Sequence, residues 1–107
     1  MYHVNRYTWS VIASFAGQGT EDVFNGRDSK SARRTCPRNV WRVAQRKLDQ
    51  INAVTRLETL RLPPGNRLEA LKGNRAGQHS VRINDQFRLC FRWSNGGAEH
   101  VEIVDYH

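Results

Sequence analysis

The stretch "HSVRINDQFRLCFRWSNGGAEHVEIVDYH", from His79 to His107, constrains the fold more than any other part of the chain. Three runs in it alternate apolar and polar residues with the two-residue period of a strand, and short turn sequences separate them. "HSVRI" (79–83) and "QFRLCFRW" (86–93) flank the tight turn "ND", and "SNGG" (94–97) leads into "AEHVEIVDYH". Connections this short join antiparallel neighbours. The alternation also sorts side chains. Phe87, Leu89, Phe91 and Trp93 point one way, while Arg88, Cys90 and Arg92 point the other. Val81 accompanies His79 and Ile83, and Arg82 lies opposite with Ser80. In the last run Val101, Ile103, Asp105 and His107 alternate with Glu102, Val104 and Tyr106. One face is expected to be core, and the other to display guanidinium groups.

Upstream, "RLEAL" (67–71) is a further short strand, followed by the turn sequence "KGNRAG". Before it, Pro37 opens the clearest helix, with Val40, Val43, Ala44, Leu48, Ile51 and Val54 on one apolar stripe. "TRLE" (55–58) has the capping-box pattern and starts one further helical turn before "LPPGN" ends it. Nearer the N-terminus, "SVIASFA" (10–16) reads as a strand. "GQGT" is a turn into a short helix, with Thr20 as its N-cap and Glu21 and Asp22 in its first turn. "NGRDSKSARR" (25–34) reads as a cationic loop. The predicted class is α+β: two N-terminal helices packed on a curved antiparallel sheet of about four strands. Residues 1–11 show no period and are set apart as an extension of unassigned role, which leaves residues 12–107 as the domain.

At 107 residues the chain is expected to form one domain with a modest core. Its charge is less ordinary. The total is +7, yet residues 27–92 carry 16 basic side chains against 5 acidic ones, and both ends are net negative. The natural partner of such a stretch is a polyanion, nucleic acid or the ribosome, although a solvated arginine surface accounts for charge alone equally well. The longest apolar run, "VIASFA", is too short to span a bilayer, and a signal-peptide pattern is absent. Cys36 and Cys90 lack C-x-x-C or zinc-ligand spacing and read as reduced thiols of a cytoplasmic protein, Cys90 as a small buried hydrophobe. Neither a metal nor a cofactor is expected.

From "IASF" onward the chain resembles the HigB toxins, a branch of the RelE/ParE toxin superfamily in the plasmid maintenance killer group. Three features carry the resemblance: "LKG-x-R-x-G" at 71–77, "N-x-x-F-R-x-x-F" at 84–91 and the terminal "DYH". The resemblance implies a toxin of a type II toxin–antitoxin system that cleaves mRNA in the A site of the 70S ribosome. It implies neutralisation by HigA, a helix-turn-helix antitoxin, with operator DNA reached only through that antitoxin. Lys72 and Arg88 match the family's basic catalytic positions.

Metal-free RNA cleavage must take a proton from the 2′-OH, stabilise a phosphorane and protonate the departing 5′-oxygen. Lys72, Arg75 and Arg88 are the cations for the middle task, with Arg75 equally suited to orienting its loop or contacting RNA. Arg82 and Arg92 are candidate RNA contacts, or solvated arginines paired across the sheet with Glu99 or Glu102. Asp105, Tyr106 and His107 close the set. A histidine titrates near neutral pH, an aspartate can orient it, and a tyrosine offers a stacking face and a hydrogen-bond donor. Glu69 stands where some family members have a histidine; it is a candidate base, although the surrounding cations oppose that role. His79 and His100 match no catalytic position and are expected to be structural. Two other readings stay open on sequence alone: a ParE-like DNA gyrase inhibitor on the same architecture, and a non-catalytic RNA-binding module.

Overall fold

The structure, a computed structural model, describes residues 12–94 and 96–106. The proposed extension 1–11 and His107 therefore lie outside the described residues. Among the described residues, three helices precede the sheet: α1 (Gln18–Phe24), α2 (Lys30–Thr35) and α3 (Arg38–Ala53). Four strands follow: β1 (Glu69–Ala70), β2 (Gln78–Arg82), β3 (Phe87–Ser94) and β4 (Gly97–Asp105), paired antiparallel in the order β1-β2-β3-β4. This is the predicted α+β class, with one helix more than the sequence revealed.

The extra helix is α2, which falls in the expected loop. Ser29 caps it by accepting from the Ala32 N–H at 3.0 Å, and Ala32 is its single buried residue. Six residues with one inward side chain are too short to display a helical period. The α2 helix packs tightly on α1. A Cβ on Gly19 would sit 2.6 Å from the Ser31 carbonyl oxygen and closer still to the Thr35 hydroxyl, so only glycine fits there. Asp22 joins the pair by accepting from Ser29 Oγ at 2.6 Å and from Gln18 Nε2 at 2.8 Å. Those two bonds, Ser29 first, hold its carboxyl below the usual carboxylate range.

Two predicted caps take other roles. The α1 helix starts after Gly17, and Thr20 lies inside it, buried, with its hydroxyl accepting from the Ile103 N–H at 3.0 Å. Its hydroxyl thus satisfies a donor on the outer edge of β4 rather than one at the helix end. The "TRLE" turn does form, as a 3-10 turn over Leu57–Arg61, but no side chain caps it; Glu58 pairs with Arg56 instead.

Helix α3 begins after Pro37 as expected, and Val40, Ala44, Leu48 and Ile51 are buried against Val81, Leu89, Phe91, Val101 and Ile103 of the sheet. Each such aliphatic or aromatic side chain contributes roughly 1.5–3 kcal/mol of burial energy. Within its described part, residues 12–16, the expected first strand (10–16) is reduced to two isolated parallel bridges, Ile12 with Ala98 and Phe15 with Val101. The cause lies in β4. From the Cys90–Glu102 pair to the Arg92–Glu99 pair, β3 advances two residues and β4 three, so β4 is bulged. His100 sits at the bulge with φ +53°, a region that histidine tolerates better than most residues, and its N–H turns to Ser14 Oγ at 2.9 Å. The ladder along that edge is broken there. His100 thus shapes the bulge through its main chain, and His79 stacks on Phe91 with ring centroids 6.4 Å apart.

Candidate active site

The second face of the sheet centres on Arg88. Alternation in β3 turns its side chain to the side of Ser80 and Cys90, and the register sets it directly across from Arg82. The Arg88 side chain is only 12% exposed. Its Nε donates to Ser80 Oγ at 2.8 Å, and its Nη2 donates to the Arg67 main-chain oxygen at 2.7 Å. Nη2 also lies 3.6 Å from Glu69 Oε1, and the guanidinium carbon is 5.6 Å from the Tyr106 ring centroid. A charge this far from water has to be paired and hydrogen-bonded. These partners do that, and they fix the guanidinium in one orientation.

Two guanidinium groups opposite each other on antiparallel strands oppose pairing. Arg82 is drawn off by an ion pair with Asp85 in the turn, while Arg88 is held by the groups just named. Arg75 supplies a further cation. It ends the 3-10 turn Gly73–Arg75, donates to Gln78 Oε1 at 3.0 Å and lies 3.5 Å from Glu102 Oε1. Glu102 faces Cys90 across the β3–β4 ladder, so Arg75 reaches over the same face as Arg88. Lys72 precedes that turn in extended conformation and is exposed at its start; Gly73 has φ +63°, which a side chain there would strain.

Tyr106 completes the cluster. Its N–H donates to the Gln86 oxygen at 2.7 Å, which carries the chain one residue past β4, and the residue remains 44% exposed. Its hydroxyl meets the buried Cys90 thiol. Desolvation, and then the neighbouring thiol, push the phenol above its ordinary value, while Arg88 and Arg75 pull it back more weakly. Tyr106 is therefore a protonated donor at neutral pH. Burial likewise raises Cys90, more than Arg75, the Tyr106 hydroxyl and Arg88 lower it, so the thiol is unreactive.

The remaining sequence candidates divide. Glu69, Arg75, Arg88 and Tyr106 come together. Arg92 projects from the same face at its far end, exposed, and a Cβ on Gly77 would lie 2.8 Å from its Nη1. Asp105 does not join the cluster. It stands across from Phe87 on the other side of β4 and accepts from Gln86 Nε2 at 3.0 Å. Among the described residues, no group of three or more His, Cys, Asp or Glu side chains is placed to hold a metal, and no helix is long and apolar enough to cross a membrane.

A family model described as "RelE-like toxin of type II toxin-antitoxin system HigB" matches residues 13–107, nearly the whole chain. The chain belongs to the HigB-like toxin family. Toxin HigB-1 of Vibrio cholerae serotype O1 is 43% identical over 65 residues, which are 61% of this chain and 68% of that protein. An uncharacterized protein of Haemophilus influenzae is 41% identical over 67 residues, 63% of this chain and 66% of its own length. Among solved structures, the YoeB–YefM complex from Staphylococcus aureus contains a chain that superposes with a TM-score of 0.51 at 20% identity, covering 90% of this chain and 94% of that one. At that identity the likeness speaks for the fold.

This HigB-like toxin uses residues that the sequence pattern did not single out. Ser80, the Arg67 carbonyl and Glu102 hold the cations, and Cys90 meets the tyrosine. The alternation did place Ser80 and Cys90 on the arginine-bearing face. Their burial there was the missing signal, because Arg75, which covers that face, comes from a turn with no strand period, and Tyr106 lies one residue past β4.

Proposed function

We propose that this HigB-like toxin is a ribosome-dependent mRNA endonuclease, an mRNA interferase that acts in the A site of the 70S ribosome and is neutralised by a HigA-type antitoxin. As a member of a type II toxin–antitoxin family it pairs with an antitoxin; the HigA type, the ribosomal target and a cytoplasmic location are the finer part of this proposal. The observation that carries it is the anchored Arg88 guanidinium, 5.6 Å from the Tyr106 ring centroid, with Arg75 held over the same face by Glu102.

In the proposed reaction the 2′-oxygen attacks the adjacent phosphorus, the P–O5′ bond breaks, and a 2′,3′-cyclic phosphate and a 5′-hydroxyl result. No metal takes part. Arg88, already oriented before substrate arrives, meets the charge that develops on the phosphorane; a preorganised donor of this kind typically contributes ~10²–10³-fold. Lys72, exposed at the start of the neighbouring turn, and Arg75 take the non-bridging oxygens. Tyr106 stacks on a base and donates through its hydroxyl. Glu69 accepts the 2′-OH proton and His107 donates to the 5′-oxygen, while Asp105 orients the end of β4. Arg82 and Arg92 extend the cationic face along the RNA backbone.

The test is an mRNA programmed into a ribosomal complex with one 2′-deoxy substitution at the cut site. Cleavage should cease there and persist in the all-ribose control. Continued cleavage of the deoxy message would sink the 2′-OH mechanism. Blocked gyrase supercoiling with intact mRNA would replace it with the ParE-like reading.

A further inference from the structure

One partner of Arg88 is a main-chain atom whose direction is set from outside the sheet. Arg67, whose carbonyl oxygen accepts from Arg88 Nη2, has φ +48° and ψ +56°, a left-handed conformation that side chains rarely adopt. Such a residue persists only where its surroundings over-determine it.

The residue before it supplies the surroundings. Asn66 is fully buried at the end of the 3-10 turn Pro64–Asn66. Its Nδ2 has two hydrogens and faces three acceptors: Gln50 Oε1 at 3.0 Å, Leu60 O at 3.1 Å and Leu62 O at 3.2 Å. Its Oδ1 accepts from Lys47 Nζ. Gln50 in turn donates to Leu62 O at 2.6 Å. Lys47 and Gln50 are three apart on α3 and therefore share a helix face. One buried amide thus clamps the 60–66 loop to the core helix, and the turn closes with Arg67 N–H on Pro64 O at 3.1 Å.

We infer that Asn66 is a positioning residue for Arg88: it fixes the Arg67 carbonyl, which together with Ser80 aims the guanidinium. Asn66 touches no reacting atom. The inference rests on the proposed ribonuclease reading for its effect on rate, but the anchoring of Arg88 is measurable without any reaction.

Two measurements on the full chain test it. In single-turnover cleavage of ribosome-bound mRNA, Asn66→Ala should lower the rate about 10–100-fold, the scale of an ångström-level misplacement, with half-saturation little changed. In an Arg88→Lys background, which cannot form the same fork, the added loss should shrink to about 3-fold or less. Equal losses in both backgrounds overturn the inference. Independently, the Arg88 Nε–Hε signal in ¹⁵N NMR, assigned by its disappearance in Arg88→Lys, should shift and exchange faster with solvent in Asn66→Ala. An unchanged signal in folded Asn66→Ala overturns the inference whatever the cleavage result. Should Asn66→Ala fail to fold, Gln50→Ala removes one acceptor of the same amide and should produce the same two changes, with a rate loss of about 3–10-fold; no change in either sinks the idea. A wild-type protein that leaves mRNA intact, while its Arg88 signal still responds to Asn66, sinks the ribonuclease reading and supports the anchor.

Discussion

Strand β3 has two faces with opposite physics. Phe87, Leu89 and Phe91 look toward α3 and are buried by the nonspecific cohesion of apolar surface. On the other side Cys90 is fully buried and Arg88 largely so, yet what covers them is polar: Ser80, the Arg67 carbonyl, Glu69, Tyr106 and Arg75. The first face tolerates volume-conserving change and punishes cavities. The second depends on hydrogen-bond direction, so its failures should appear in activity before they appear in stability. A small sheet can therefore hold a core and a preorganised cationic site back to back, one strand thickness apart.

The sharpest way to break that comparison is to truncate one residue from each face. Phe91→Ala should cost about 3–5 kcal/mol of stability in thermal or urea unfolding, with the remaining folded protein retaining its specific activity. Arg88→Ala should cost only about 1–3 kcal/mol, from the acceptors left without a donor. Its cleavage rate should nevertheless drop ~10²–10³-fold. Equal stability losses with equal activity losses would erase the distinction.

Tyr106 sharpens it next. Tyr106→Ala should reduce cleavage more than Tyr106→Phe, since the ring covers Arg88 and the hydroxyl only adds a donor. The phenol is raised above its ordinary value of 10.0 by burial and the Cys90 thiol. The folded state therefore keeps this proton longer than the unfolded state. Its contribution to stability is complete below the unfolded phenol's value and is lost as pH rises through the folded one. A phenolate absorbance titration of wild type minus Tyr106→Phe should show a midpoint above that of free tyrosine; a midpoint at or below it contradicts the burial account.

Arg82→Gln should have the smallest effect. It removes one of two guanidinium groups that face each other across β2 and β3, so stability should rise by about 0.2–1 kcal/mol. RNA affinity should weaken, with the salt dependence of binding reduced by about one charge. An unfolded Arg82→Gln protein would show that the Arg82–Asp85 pair holds the hairpin.

How much of this was legible in the residues follows the same division. The apolar face of β3, the α3 stripe and the hairpin at Asn84 could be read directly, because a period of two or 3.6 is a local property. Alternation made the cations legible as a face, and the family resemblance made Lys72 and Arg88 legible as candidates for a site. Which arginine is anchored depends on the register that sets Ser80 across from Cys90 and on a left-handed Arg67 that no periodicity encodes. Asp105 shows the limit from the other side. Its neighbour Tyr106 was read, correctly, as pointing away from it. The chain end was nevertheless expected to act as one group, whereas of its two described residues Tyr106 reaches the Arg88 cluster and Asp105 faces Gln86. The missed helix α2 and the broken first strand have the same origin, a six-residue element and a bulge at His100, both too short to imprint a pattern.

In the proposed function the polar face of this sheet cuts translated mRNA. The most direct test is brief induction of the wild-type protein and of Arg88→Ala in a bacterial host, followed by mapping of mRNA 5′ ends. Position-defined new ends inside translated regions, present with wild type and absent with a folded Arg88→Ala protein, are the predicted result. The same ends with both proteins, or none with either while growth still stops, would contradict it.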